Sequence, residues 1–299
     1  MAGDRHDKFA ILALAVAGSL WGTGFLFGKI ALESMGVGHM VLYRFAFAVI
    51  ALVPIAIQQR LSLPRRGDLL RIAAAGALYV PIQFLVQFEG LARTTVTHAS
   101  LMVGALPILI AVGAVVFTHE RLDRAGWLTL AASTVGAALI ASGGGSSIGS
   151  ATTIGDVLVL VSLFAAVGWV LTSKGLMGGR GSYTPVEASL HVLFAGTILL
   201  GIYVLSVDGP PPIHLPPAAW GAVIASGIFT TAATTLLWNG GLSRVPASRA
   251  GIYVNLEPVV GAILGVTLLH DRLGPVAIVG GVLVVGSAVA FTRRASARS

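Results

Sequence analysis

Cysteine is absent from the chain, so disulfides, thiolate nucleophiles and thiolate metal sites are excluded together. Charge is scarce as well. Asp, Glu, Lys and Arg make up 10% of the residues, against roughly 25% in a soluble domain, too few to cover the surface of a water-soluble protein of 299 residues. No His-Glu-x-x-His helix and no paired-aspartate cluster is present, so catalytic chemistry has no anchor and no cofactor is expected. The first apolar run lacks a small-residue cleavage site and is long enough to span, which predicts a retained helix rather than a signal peptide. No connection is long enough to form an appended soluble domain.

What the chain has is one stretch written twice. Gly90-Leu91-Ala92-Arg93 continues through Ala99 and Pro107 to His119-Glu120-Arg121-Leu122, and Gly241-Leu242-Ser243-Arg244 continues through Ala250 and Pro258 to His270-Asp271-Arg272-Leu273. Every pair is separated by 151 positions. An internal repeat of this length decides the architecture before any single element does.

Apolar runs of ~20 residues cross the hydrocarbon of a bilayer. Ten occur, at 9–32, 38–57, 69–90, 97–118, 124–142, 154–175, 185–206, 217–240, 247–269 and 274–292. They are continuous rather than alternating, which excludes a barrel. The expected fold is an all-α membrane protein of ten transmembrane helices in two five-helix repeats, 9–142 and 154–292, joined by a flexible linker at 143–153. Five is odd, so the second copy enters the membrane from the opposite side and the repeats are inverted, an arrangement associated with alternating access around a midplane site. The five prolines within 209–217 predict a stiff connection.

The formal charge of +7 is an orientation signal. Of 19 basic residues, 15 fall on one side: Arg5, Lys8, Arg60, Arg65, Arg66, Arg71, Arg121, Arg124, Lys174, Arg180, Arg244, Arg249, Arg293, Arg294 and Arg298. The positive-inside rule puts that side, with both termini, in the cytoplasm. Nucleic acid is not an expected partner. Lipid and a small-molecule substrate are, and the small residues of helices five and ten predict packing or dimer contacts, leaving monomer and homodimer open.

Polar residues inside apolar runs mark candidate sites, because each is costly in hydrocarbon. Lys29 is expected to snorkel from the outer end of helix one. Arg44 lies six residues into helix two, about 9 Å deep at 1.5 Å per residue. It needs a partner, with Glu33 or a backbone carbonyl as candidates, and a structural tether and a substrate or ion site are equally good readings. His191, six residues after Pro185 as Arg44 is after Gly38, is its expected counterpart. Tyr79, Gln83 and Gln87 share one face of helix three, interrupted at Pro81, and their copies fall at Thr230, Thr234 and Trp238, beside Asn239. The threonines alone fit interhelical bonding; the glutamines and Trp238-Asn239 fit a cavity lining. Helix four presents His98, Met102 and Leu106, and helix nine Arg249, Tyr253 and Glu257. Asn255 lies about 200° around that helix from Glu257 and is expected to bond elsewhere. Trp21 on helix one and Trp169 on helix six complete the predicted substrate-binding set of Trp21, Tyr79, Gln83, His98, Met102, Trp169, Trp238, Asn239, Tyr253 and Glu257. Glu257 and His98 are also candidates for carrying a proton, and Pro81, Pro107 and Pro258 for hinges, with a static kink as the plainer reading.

Trp21-Gly22 with Lys29, Tyr43-Arg44-Phe45, and the paired Pro107 and Pro258 motifs resemble the two EamA domains of the drug/metabolite transporter superfamily over nearly the whole chain, most closely the YddG-type exporters of aromatic amino acids. One departure is the spacing of Trp169 and Lys174, five residues where helix one has eight between Trp21 and Lys29. The resemblance implies a bacterial inner-membrane exporter with a cavity between the halves and helices five and ten at the periphery. Aromatic amino acids are the expected cargo; drugs, nucleosides or other metabolites are the alternative within the class, and a channel the remote one, since no filter-like loop is present.

Overall fold

A backbone in hydrocarbon must satisfy its own polar groups, and a helix does so within one segment. The computed structural model describes residues 2–93, 103–143, 153–178, 183–268 and 274–296, and every regular element among these is helical. In chain order they are α1 (Ala2–Trp21), α2 (Gly24–Leu32), α3 (Val37–Gln58), α4 (Leu69–Ala77), α5 (Val86–Arg93), α6 (Leu106–Thr118), α7 (Arg124–Gly143), α8 (Thr153–Met177), α9 (Pro185–Val207), α10 (Pro217–Gly227), α11 (Thr234–Leu242), α12 (Ala247–Ala250), α13 (Leu256–Leu268) and α14 (Pro275–Ser296). Among the described residues six stretches are long and apolar enough to cross a membrane: Phe9–Leu32, Val37–Gln58, Arg66–Arg93, Val157–Met177, Pro185–Val207 and Pro217–Leu242. The described parts of the apolar runs at 97–118 and 247–269 are divided. α6 follows a turn at Gly104–Ala105, and a 3₁₀ stretch, Gly251–Asn255, separates α12 from α13.

The same irregularity occurs in both halves. A π-helical segment, Leu78–Leu85, joins α4 to α5, and another, Ile228–Ala233, joins α10 to α11. Pro81 lies in the first, yet its copy in the second is Ala232. Proline alone therefore does not cause the widened turn, a feature frequent at functional sites.

Glycines set how the halves interlock. A Cβ on Gly76 of α4 would lie 2.8 Å from Val192 O and 2.6 Å from Gly196 N of α9. A Cβ on Gly227, its copy in α10, would lie 2.7 Å from Arg44 O and 3.1 Å from Ala48 N of α3. Each half thus packs its second helix against the third helix of the other half. The matched contacts align Arg44 with Val192 and Tyr43 with His191. His191 is therefore not the counterpart of Arg44: its ring meets Tyr183 edge-on at 5.4 Å, as Tyr43 meets Trp220 at 5.1 Å. A second matched pair places Gly90 against Gly155 and Val159, and its copy Gly241 against Ala10 and Leu14. This relates the first helices of the halves by 145 positions rather than 151, because the connections flanking the second helix are longer in the second half.

α7 and α14 pack on each other. Gly136 approaches so closely that a Cβ would lie 2.7 Å from Gly280 O. Ala137 and Val284 are fully buried in this contact. At the end of the bundle where residues 59–68 run, Ser62 Oγ donates to Glu187 Oε1 at 2.6 Å and Arg65 N to Tyr183 Oη at 2.9 Å. Close helix packing of this kind rests on small residues rather than on apolar burial, since lipid is as apolar as the protein. Gly76→Val is therefore expected to destabilise the protein by about 1–3 kcal/mol, the cost of overpacking. A fall in the detergent melting temperature, absent from Gly221→Val where no neighbour lies within 4 Å, is the measurement.

Candidate functional site: a cavity between the two halves

The cavity forms where breaks in the helical ladder meet. α1 ends at Trp21 and α2 begins at Gly24. In the intervening turn Thr23 N and Thr23 Oγ1 both donate to Leu20 O, at 3.1 and 2.7 Å. Facing this turn are the first π segment, through Tyr79, Gln83 and Phe84, and the junction of the 3₁₀ stretch with α13, through Val254 and Glu257. Together they enclose about 630 Å³ of empty space, its mouth included, lined by residues of both halves.

The lining is pseudo-symmetric. With the offsets fixed by glycine packing, Trp21 matches Ala166, Gly24 matches Trp169, Gln87 matches Trp238, Val103 matches Val254 and Leu106 matches Glu257, and all ten line the cavity. The spacing of Trp169 and Lys174 is thereby explained: Lys174 is the copy of Lys29, and Trp169 stands where helix one has Gly24. The chemistry is not symmetric. Glu257 faces the cavity from one half and Leu106 from the other, while Arg44 lines it where the opposite half has Val192.

Arg44 is 3% exposed. Its Nε donates to Thr231 Oγ1 at 2.7 Å and its Nη2 to the Thr230 carbonyl at 3.1 Å, both in the π segment of the other half. Glu33, the expected acidic partner, is exposed at the end of α2 instead; the carbonyl alternative, with a hydroxyl, is what the structure shows. The guanidinium carbon lies 4.5 Å from the centroid of the Phe84 ring. Arg44 and Glu257 both line the cavity without forming an ion pair, and Glu257 accepts no hydrogen bond from a described residue. A cation and a carboxylate thus flank one apolar space.

Aromatic rings form the walls. Tyr79 and Trp169 stack at 3.9 Å between centroids, 9° from parallel, and Tyr79 Oη bonds to Thr235 Oγ1 at 3.0 Å. Trp21 and Trp238 meet at 5.0 Å. Phe84 and Phe88, missed by the sequence reading, continue the wall beside Gln83 and Gln87; their positions next to the glutamines on helix three were the available signal. The indole nitrogens of Trp169 and Trp238 and the amide oxygen of Gln83 are buried without a partner among the described residues. Buried polar atoms normally have partners, and these three, on residues that line the cavity, are exceptions.

Of the predicted set, Trp21, Tyr79, Gln83, Trp169, Trp238 and Glu257 meet around the cavity. Asn239 and Tyr253 do not line it. Asn239 is buried and donates to Ser189 Oγ at 2.8 Å. Tyr253 is buried behind the cavity, its carbonyl closing on Gly18 of α1. His98 and Met102 lie outside the described residues. The threonines 230, 231, 234 and 235 are fully buried between helices, and Asn255 donates to Ser133 Oγ at 2.9 Å, away from Glu257. Pro107 and Pro258 stand in the first turns of α6 and α13, where a missing N–H costs nothing. The breaks lie just before them, so these prolines start helices rather than kink them.

The halves are tied to each other at the 242–248 turn. Lys174 Nζ donates to Leu242 O at 2.7 Å and to Val245 O, and the Glu120 carboxylate accepts from Ala247 N and Ser248 N, both at 2.9 Å. Glu120 and Lys174 belong to opposite halves, so this turn is clamped from both.

Comparison with known proteins places the molecule. The model of the EamA-like transporter family matches residues 8–142 and 153–293, one match per half. The chain belongs to the EamA-like transporter family. It is a multi-pass membrane transporter, and small-molecule cargo goes with the family. Similar proteins over nearly full length include an uncharacterized transporter of Archaeoglobus fulgidus, 26% identical with 95% of this chain and 97% of the relative covered. A probable terminal-alkyne amino-acid exporter of Streptantibioticus cattleyicolor is 27% identical, with 97% and 95% covered. A solved crystal structure shares the fold at a TM-score of 0.79 and 17% identity, covering 95% of this chain and 98% of the other.

Proposed function

We propose that this EamA transporter crosses the bacterial inner membrane ten times as two inverted repeats, with both termini cytoplasmic, and exports amino acids, aromatic ones foremost, by alternating access. The observation that carries this reading is the pairing of Arg44 and Glu257 across an aromatic-walled cavity. An α-amino acid brings one carboxylate, one ammonium and a side chain. Two opposite charges in a water-poor space suit both ends of a zwitterion, and Trp21, Trp238 and the Tyr79–Trp169 stack suit a flat apolar side chain. The relative named as an amino-acid exporter supports the cargo class.

The inverted repeats supply the motion. Two halves that interlock through glycine contacts rock as bodies about the pseudo-two-fold, exposing the cavity to each side in turn. In this reading the Glu120 and Lys174 ties hold the halves together at a turn that the charge pattern assigns to the cytoplasmic side. Monomer and homodimer both accommodate this mechanism, since each chain holds a complete cavity.

The test is export from living cells. A bacterium expressing the chain is expected to tolerate several-fold more of a toxic phenylalanine analogue such as p-fluorophenylalanine than the empty-vector strain, and to hold less of the labelled analogue inside. Equal tolerance and equal retention, with the protein present in the inner membrane, would reject the reading.

A further inference from the structure

Helix one is not continuous, and its second part opens on the cavity. α2 is a nine-residue helix whose first residue, Gly24, lines the cavity, and Thr23 places no side-chain cap on its amides. The first amides of a helix have no acceptor within it and carry the positive end of the helix dipole. Arg44 reaches the same point, and Trp238 lines the same cavity. A Cβ on Gly24 would lie 3.9 Å from Arg44 Nη1 and 3.6 Å from Thr230 Oγ1, and that Nη1 makes no hydrogen bond to a described residue, since the two bonds of Arg44 use Nε and Nη2. Trp238 also lines the cavity, its ring 5.0 Å from that of Trp21, the last residue before the break, and its buried indole N–H has no partner among the described residues. A half-helix N-terminus, a guanidinium N–H and an indole N–H are all donors. Neither Arg44 Nη1 nor Trp238 Nε1 has an acceptor among the described residues.

We infer that the break in helix one is a carboxylate subsite, formed by the α2 N-terminus at Gly24, Arg44 Nη1 and the Trp238 indole N–H, and that Gly24 determines which ligands reach it. The inference rests on the amino-acid reading above and deepens it by fixing which end of the substrate goes where. The pseudo-symmetry explains the glycine. The equivalent position in the other half holds Trp169, which fills its side of the cavity and stacks on Tyr79. Gly24 leaves the matching space empty beside the arginine. Glu257 occupies the other half's contribution and takes the ammonium; α13, which carries it, touches helix one at Gly22, where a Cβ would lie 2.5 Å from Glu257 O. A substrate held between the two points its carboxylate at the break and its ammonium at helix nine, leaving the side chain to the aromatic wall.

The experiment uses the purified full chain in detergent with three fragments of phenylalanine: 3-phenylpropionate, which lacks the ammonium, its amide 3-phenylpropionamide, and phenethylamine, which lacks the carboxylate. Ligand-induced thermal stabilisation gives an apparent affinity for each, and labelled phenylalanine counterflow in proteoliposomes runs beside it. The wild type is expected to bind the acid at least about tenfold more tightly than the amide. Gly24→Ala places a methyl at ordinary contact distance from its neighbours, so the fold is retained while the space over Arg44 Nη1 is filled. Trp238→Phe removes the donor together with part of the aromatic wall. Gly24→Ala is expected to weaken the acid about tenfold and to leave phenethylamine unchanged, and Trp238→Phe to weaken the acid several-fold more than phenethylamine. Equal binding of acid and amide by the wild type, no binding of any probe, or equal losses for acid and amine in Gly24→Ala would overturn the subsite. Phenylalanine carried without acid-over-amide preference would reject the subsite and leave the cargo reading standing. Gly24-dependent acid binding without phenylalanine transport would do the reverse.

Discussion

Arg44→Gln is expected to lower phenylalanine transport by about 30- to 100-fold while leaving the protein folded. The figure follows from the ~2–3 kcal/mol that a hydrogen bond to a charged group contributes in a protein interior. Glutamine is polar and uncharged, so the buried site loses its only charge complement to a carboxylate among the described lining residues. The partners left behind are not stranded: Thr231 Oγ1 still has the Ser226 carbonyl at 3.1 Å, so stability changes less than transport. Arg44→Lys separates charge from geometry. Lysine is a point charge without the guanidinium fork, and one ammonium cannot replace the Nε and Nη2 bonds and still present a donor at Gly24. A loss of about tenfold is expected, between wild type and glutamine. Initial rates in proteoliposomes with matched protein content measure this; wild-type rates in Arg44→Gln would reduce the residue to a tether between α3 and the π segment of the second half.

Glu257→Gln is expected to change what is carried more than how much. Removing the carboxylate deletes the partner of the substrate ammonium and leaves Arg44 uncompensated in the empty cavity. Phenylalanine transport falls by about 30-fold on the same energy scale, while 3-phenylpropionate, which needs no ammonium partner and brings its own negative charge, is carried better than by wild type. Specificity is a difference between two affinities, so the ratio of the two substrates shifts by more than either rate alone. An unchanged ratio, measured by competition at a fixed concentration of each, would place Glu257 outside the substrate contacts. The same variant decides whether Glu257 carries a coupled proton: an imposed pH gradient that drives wild-type but not Glu257→Gln transport assigns it that role, and a gradient without effect on the wild type removes it.

Much of this architecture was legible in the chain because duplication and membrane cost leave plain marks. The offset of 151 between the Pro107 and Pro258 motifs held for the third and fourth helices of each half, and the glycine and cavity pairs follow it. Arg44 and Glu257 stood out because a buried charge in an apolar run demands a reason. Other parts were hidden for physical reasons. The register of the first helices is 145, concealed by connections of unequal length. Without it Gly24, a residue with no side-chain chemistry to notice, has no visible partner in Trp169. Tyr253 was assigned to the cavity by counting 3.6 residues per turn from Arg249 to Glu257. It lies in a 3₁₀ stretch, where the turn is three residues and that face rotates away. Asn239 sits next to a true lining residue, Trp238, but about 100° around the helix, and bonds to Ser189 instead. His191 matched Arg44 by distance from a helix start, whereas interhelical contacts, invisible in sequence, set the true alignment one residue away.

The claim at the centre is that one chain holds one amino-acid site reached from either side in turn. Counterflow in proteoliposomes tests it most directly: vesicles loaded with unlabelled phenylalanine are diluted into a trace of labelled phenylalanine with no ion gradient. A carrier with a single alternating site accumulates the label transiently above equilibrium, with saturable dependence on the internal concentration, and Arg44→Gln abolishes the overshoot. Label that only equilibrates, at a rate linear in concentration, would make the protein a channel and contradict the alternating site; no movement of label beyond empty vesicles would contradict the cargo.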